Sequence, residues 1–220
     1  MNRENYQKAL ERILCYLPEE NNGDRAGSGE SAVTVPRFFL HSCCAPCSSY
    51  VLEYLREYFS ITVFYFNPNI TDREEYEKRK DEQLRLIAAL NGEGTAYPIH
   101  VAESGHEPEE FFRIARGLEA CPEGGERCFR CFELRLRETA RRAAGQGFDY
   151  FTTTLTISPL KDAGKINEIG LALAREYGIA WLPSDFKKRD GYKRSVELSA
   201  KYGLYRQNYC GCPYSVRDSR

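Results

Sequence analysis

The chain is short of several things that would steer a reading of its function. It has three histidines, His41, His100 and His106, and they are scattered; His41 closes the first predicted strand and reads as a core side chain rather than a ligand. No apolar run approaches the ~20 residues that a bilayer span needs. The amino-terminal stretch MNRENYQKALERILCYL is charged and helix-like rather than a secretory signal. The expected setting is therefore cytoplasmic, where thiols stay reduced. The net charge is −1 over 220 residues, so there is no global pull toward nucleic acid or membrane, and any polyanion site must be a local basic patch. No GxGxxG follows a predicted strand, so the dinucleotide fingerprint is missing. No SGGxDS-like phosphate loop follows the first strand either; SCCAPCSS stands there, and its side chains would crowd a phosphate cradle.

Cysteine, by contrast, is abundant and clustered. Seven of nine cysteines fall into three groups: Cys43, Cys44 and Cys47 (CCxxC), Cys128 and Cys131 (CxxC), and Cys210 and Cys212 (CxC). In a cytosolic chain such groups bind metal or do chemistry more often than they form disulfides. Seven thiolates exceed what one four-coordinate metal or one four-cysteine cluster can use. The arithmetic suggests one cubane held by four and a second metal held by the rest. Structural zinc and a thiol relay are the competing readings. Cys15 reads as a buried helix cysteine, and Cys121, in ACPEGG, as either a surface thiol or a peripheral part of the site.

Periodicity predicts an amphipathic helix over 3–17 and a Gly-, Ser- and Asn-rich mobile linker over 18–35. Strands are expected at Phe38–His41, Ile61–Phe66, Tyr97–Val101, Tyr150–Thr154 and Ala180–Leu182. Helices are expected after Cys44 and over 72–90, 107–118, 129–144, 161–177 and 191–202. Strands alternating with long helices predict an α/β fold, a Rossmann-like three-layer sandwich with a mainly parallel sheet. Residues 1–36 form a helix and flexible linker, and residues 37–220 a single catalytic α/β domain. In such sheets ligands sit beyond the carboxyl ends of the strands, which is where Cys43 to Cys47 fall.

Local geometry groups the ligands. Cys44 and Cys47 sit three apart at a helix start, with Pro46 suited to the first turn. A helix N-terminus favours thiolate. Cys43 and Cys44 are adjacent and, in extended chain, project oppositely, so they fit two centres more easily than one. Cys128 and Cys131 repeat the i, i+3 pattern. Cys210 and Cys212 share a side of extended chain, with Gly211 allowing a close turn.

The segments HSCCAPCSS, YFNPNITDREEYEKRK, RCFRCFELRL, FTTTLTISPLKD, SDFKKRDGYKRS and YRQNYCGCPYS, in this order over residues 37–215, resemble the cobalamin-independent, QueH-type epoxyqueuosine reductases. The resemblance implies a nucleotide-hydrolase-like fold and the conversion of epoxyqueuosine to queuosine at the tRNA wobble position. The epoxide oxygen would be lost as water with two electrons and two protons. It implies a [4Fe–4S] cluster beside a mononuclear metal, taken as iron; our own reading of the spacing puts Cys128 and Cys131 on the cluster and divides Cys43 and Cys44 between the centres. Many family members carry Asp where this chain has Cys47, so Cys47 either replaces a carboxylate on the single metal or is a spare thiolate. Without a dinucleotide fingerprint, electrons must come from an external donor of ferredoxin or flavodoxin type. The alternatives are an iron–sulfur tRNA thiolase and a structural-zinc nucleic-acid-binding protein.

Substrate-binding candidates follow from position. Asn67, Asn69 and Tyr76 come after the second strand, and Lys161 opens a helix where a phosphate could meet it, with Ser158 the candidate cap. Lys187, Lys188, Arg189 and Arg194, interleaved with Phe186 and Tyr192, form the strongest basic cluster. Arg130, Arg137 and Arg141 extend that patch. Asp185 or a metal-bound water is the candidate proton donor to the leaving oxygen.

Overall fold

The computed structural model of the protein describes residues 4–23, 35–94 and 97–215, with side chains outside 18–23. Five parallel strands form one sheet: β1 (Arg37–His41), β2 (Ser60–Phe64), β3 (His100–Ala102), β4 (Tyr150–Thr153) and β5 (Ala180–Trp181). Their order is β3-β2-β1-β4-β5. The helices are α1 (Tyr6–Gly23), α2 (Ala45–Leu55), α3 (Arg73–Gly92), α4 (Pro108–Ala115), α5 (Glu126–Gly145), α6 (Ala163–Tyr177) and α7 (Gly191–Lys201).

Alternation along β1 builds the three layers. Phe38 and Leu40 point to one face, into a cluster with Val51, Leu52 and Leu55 of α2 and Leu86, Ile87 and Leu90 of α3. Phe39 points to the other face, among Phe132, Leu136 and Ala140 of α5 and Ile166 and Leu173 of α6. Connections from β1 run outward to β2 and β3 on one side and to β4 and β5 on the other. The switch point therefore lies between β1 and β4, whose His41 and Thr153 are register partners.

Several expectations shift at their edges. The linker expected over 18–35 begins later, because α1 runs through Gly23; residues 24–34 lie outside the described residues. α1 buries Leu10, Leu14 and Leu17 in the α2–α3 cluster. Cys15, expected in the core, is exposed, since one residue past Leu14 a helix has turned about 100° away from its buried stripe. β3 is three residues long and begins at His100, with Tyr97 partly exposed at this sheet edge. α5 begins before Cys128 rather than within the cysteine pair. Asp162, not Ser158, caps α6, accepting from the Lys165 N–H at 3.1 Å.

Candidate metal centre

The three cysteine groups meet at the carboxyl end of the sheet. β1 stops at His41, and the chain turns through Ser42 and Cys43 to Cys44, which is extended (φ −174°, ψ 160°) and precedes α2. Pro46, lacking an N–H, occupies the first turn without losing a hydrogen bond. The sulfurs of Cys43, Cys44 and Cys47 all lie within 4.8 Å of one another. Cys43 and Cys44, expected to project apart, have their sulfurs 3.9 Å from each other; the turn out of β1 undoes the alternation that an extended strand would impose. Thr154, just past β4, fixes the trio: its Oγ1 accepts from the Cys43 N–H at 3.1 Å and lies 3.3 Å from the Cys43 sulfur.

Charge within the trio is unevenly shared. Hydrogen bonds from the Cys44 and Cys47 thiols, helped by the positive Lys161 and Arg135, hold the Cys43 thiol well below its ordinary pKa. Cys44 is pushed up to about 12 by Cys43, and Cys47 is also pushed up by its two neighbours. Thiolate is the form that binds metal, and Cys43 is the one of the three whose pKa is drawn down.

The second set comes from α5 and the segment after α7. Cys128 and Cys131 share a face of α5, and Gly124 N–H donates to the Cys128 sulfur at 3.3 Å. Cys210 and Cys212 have sulfurs 3.5 Å apart, and Ser215 Oγ lies 3.0 Å from that of Cys210. These contacts, with Lys161 adding positive charge, lower the Cys210 thiol to about 5, while burial pushes Cys131 up to about 11. Two neighbouring residues seat the CxC turn by its backbone. The Cys210 carbonyl accepts from Asn69 Nδ2 at 3.0 Å and from Arg79 Nη1 at 3.4 Å. Gly211 takes φ +105°, and a Cβ there would lie 2.7 Å from Ile70 Cγ1.

Two adjoining cavities result. One, of about 180 Å³, is lined by Cys43, Cys44, Cys47 and Cys210. The other, of about 130 Å³, is lined by Cys128, Cys131, Cys210 and Cys212. Cys210, Arg135 and Lys161 line both. Among the described residues, only Cys43, Cys44 and Cys47 form a group close enough for one ion.

The remaining candidates divide. Asn69 lines the second cavity and Lys161 lines both, as well as an outer groove. Burial depresses the Lys161 pKa, but the neighbouring sulfurs of Cys43, Cys47 and Cys210 outweigh that and raise it. Asn67 is fully buried, donating to Ser42 O at 2.9 Å and accepting from Arg135, so it braces the site from behind. Tyr76 lines neither cavity; it is buried, donates to Gly105 O at 3.0 Å and packs on Tyr65 and His106. Asp185 lies in the outer groove with Lys187 and Lys188, and pairs with Lys187 at 2.7 Å.

The basic patch is largely compensated. Arg189 pairs with Glu11, Arg194 with Glu53 and Glu197, Arg130 with Glu126, Arg137 with Glu133 and Glu176, and Arg141 with Glu138. Lys188 and Lys193 remain exposed. Cys121 lines neither cavity; its carbonyl accepts from Arg127 Nη1 at 2.5 Å, which ties down the loop before α5.

Sequence reasoning missed Arg135, although it falls four residues after Cys131 and seven after Cys128, on the face of α5 that carries both thiols. It also missed Arg79 and the segment 206–209, where Arg206, Gln207, Asn208 and Tyr209 line the first cavity.

Comparison with known proteins follows the same residues. A family model described as "Epoxyqueuosine reductase QueH" matches residues 38–218. The epoxyqueuosine reductase QueH of Streptococcus pyogenes serotype M1 is 45% identical over 182 residues, 83% of this chain and 71% of that protein. That of Staphylococcus epidermidis is 41% identical over 214 residues, covering 96% of this chain and 84% of the relative. That of Thermotoga maritima is 33% identical over 184 residues, 82% of this chain and 91% of its own.

Proposed function

The chain belongs to the QueH family of epoxyqueuosine reductases, and on that premise we propose that it reduces epoxyqueuosine in tRNA to queuosine. The epoxide oxygen leaves as water, taking two protons and two electrons, and an alkene remains in the cyclopentane ring. The observation that carries the reading is the shared wall: Cys210 lines both thiol cavities, so a single-ion site and a four-thiol site adjoin.

The donor sets fit two different metal groups. Cys43, Cys44 and Cys47 lie close enough for one ion, all with sulfur ligands. Cys128, Cys131, Cys210 and Cys212 line one cavity, and four thiols are the number that a [4Fe–4S] cluster takes. Cys47 is then a ligand rather than a spare thiolate. Bound there, the cluster and the single iron supply electrons one at a time and an oxygen-seeking Lewis acid.

The chain's own side chains do the rest. Lys161 Nζ, charged and on the wall of the first cavity, holds the proton for the leaving oxygen, a role that the sequence suggested for Asp185. Asp185 sits in the outer groove, paired with Lys187. Arg206, Tyr209 and Tyr192 at the mouth of the first cavity offer charge and aromatic faces to an anticodon loop. Lys188 in the outer groove adds a phosphate contact. Reducing equivalents come from an external ferredoxin- or flavodoxin-type donor. Among the described residues no helix is long and apolar enough to cross a membrane, and a tRNA substrate supports a cytoplasmic setting for the reaction.

The test is anaerobic incubation of the iron-loaded protein with epoxyqueuosine-containing tRNA and a low-potential reductant, followed by nucleoside mass analysis. Loss of one oxygen from the modified nucleoside is the expected result. Unchanged nucleoside with an intact cluster refutes the reading.

A further inference from the structure

Arg135 is a buried cation with neutral partners. It is 3% exposed. One guanidinium nitrogen donates to Asn67 Oδ1, and Nε lies 3.3 Å from His41 Nε2. His41 is itself fully buried, with Nδ1 2.7 Å from Thr153 Oγ1 and Nε2 also 3.0 Å from Phe66 O. The contrast with Arg79 is direct: that buried guanidinium lies 2.6 Å from the Glu75 carboxylate. A guanidinium cannot shed its proton inside a protein, so a buried one needs a counter-charge. The two cavities that Arg135 lines carry seven thiols between them, with Glu123 the one carboxylate on both walls. Arg135 is also the one residue of α5 that lines both cavities.

Resting on the reading above that these thiols hold a cluster and a metal ion, we propose that Arg135 is the counter-cation shared by the two centres, and that its fixed charge raises the reduction potential of the cluster held by the quartet. Reduction adds one electron to a group already negative through its thiolates. A positive charge fixed nearby in a medium of low dielectric favours that added electron. Asn67 and His41 serve to hold the guanidinium on the shared wall. Lys161 lines the same cavities but is only half-buried and also lines the outer groove.

The experiment is a mediated redox titration of the anaerobically purified protein, followed by EPR and visible absorption, with iron counted per chain. The variants are R135Q, R135K and K161Q. R135Q is expected to make cluster reduction roughly tenfold less favourable, about 59 mV lower for one electron. R135K keeps the charge and is expected to shift the equilibrium by less than about threefold, and K161Q by less than R135Q. If R135Q loads no iron while R135K loads fully at the wild-type potential, the counter-charge role stands, because the charge is then what assembly requires. The proposal is overturned if R135Q loads fully and titrates with the wild-type protein, if R135Q and R135K shift alike, or if both fail to load. Wild-type protein without iron removes the cofactor reading itself, and Arg135 falls with it; that outcome is told apart from the others by the iron count before any variant is made.

Discussion

Replacing Gly211 by alanine tests how tightly the CxC turn is seated. The backbone there has φ +105°, a region that residues with a Cβ rarely enter; the strain is about 1–3 kcal/mol. The new methyl would lie 2.7 Å from Ile70 Cγ1 and 3.3 Å from Ile70 Cα and Arg79 Nη1. Ile70 is buried, so relieving the overlap means moving core, at about 1–3 kcal/mol more. The sum is about 2–6 kcal/mol, or a fall in Tm of about 4–24 °C at roughly 2–4 °C per kcal/mol for a chain of this size. Gly203 is the control: its φ is +57°, and a Cβ there meets nothing within 4 Å. Gly203→Ala should therefore cost only about 1–2 kcal/mol. Thermal unfolding and iron content are measured on both variants. Gly211→Ala should be the less stable of the two and lose iron, because displacing the turn moves Cys210 and Cys212 together. Equal loss of stability in the two variants, with iron retained in both, would refute the reasoning.

His41 should make stability pH-dependent. Its pKa is lowered to about 3 in the folded state, so between pH ~6.5 and ~3 the unfolded chain binds more protons, and stability falls as pH falls, by at most about 1.4 kcal/mol per unit from this group. Urea titrations at several pH values should show a shallower slope for His41→Gln; an unchanged slope contradicts the assignment. Lys161→Gln should lower turnover about 10²–10⁴-fold with iron content and Tm unchanged, as expected for a lost proton donor, and near-wild-type turnover would return that role to Asp185. Arg194→Ala removes an exposed pair with Glu53 and Glu197 and should leave thermal stability and tRNA binding within error of wild type; a large drop in affinity would show that the residue exchanges its carboxylates for phosphate.

The parts of the site that were legible in the sequence were those set by local chain geometry. A strand followed by CCxxC, and CxxC on a helix, place sulfur without any tertiary knowledge, and the unbroken apolar run Phe38–Leu40 reads as a buried strand. What escaped depends on distant partners. Arg189 and Arg194 look like a phosphate patch until Glu11, Glu53 and Glu197 are brought against them. Tyr76 follows the second strand as a rim residue would, yet α3 turns it inward onto Tyr65. The meeting of Cys43 and Cys44 depends on backbone torsions that spacing does not encode. Arg135 carried a signal, its phase with Cys128 and Cys131, but an arginine in a charged helix ordinarily faces water.

Cys210 and Cys212 follow every strand and helix that surrounds them, while the trio they adjoin lies near the start of the sheet. A ribosome making this chain exposes the first three sulfurs long before the last two. The scaffold can therefore compact while its inorganic payload is still incomplete, and loading belongs to the finished polypeptide. A product truncated before the CxC turn would lack half the quartet, a defect visible as missing colour.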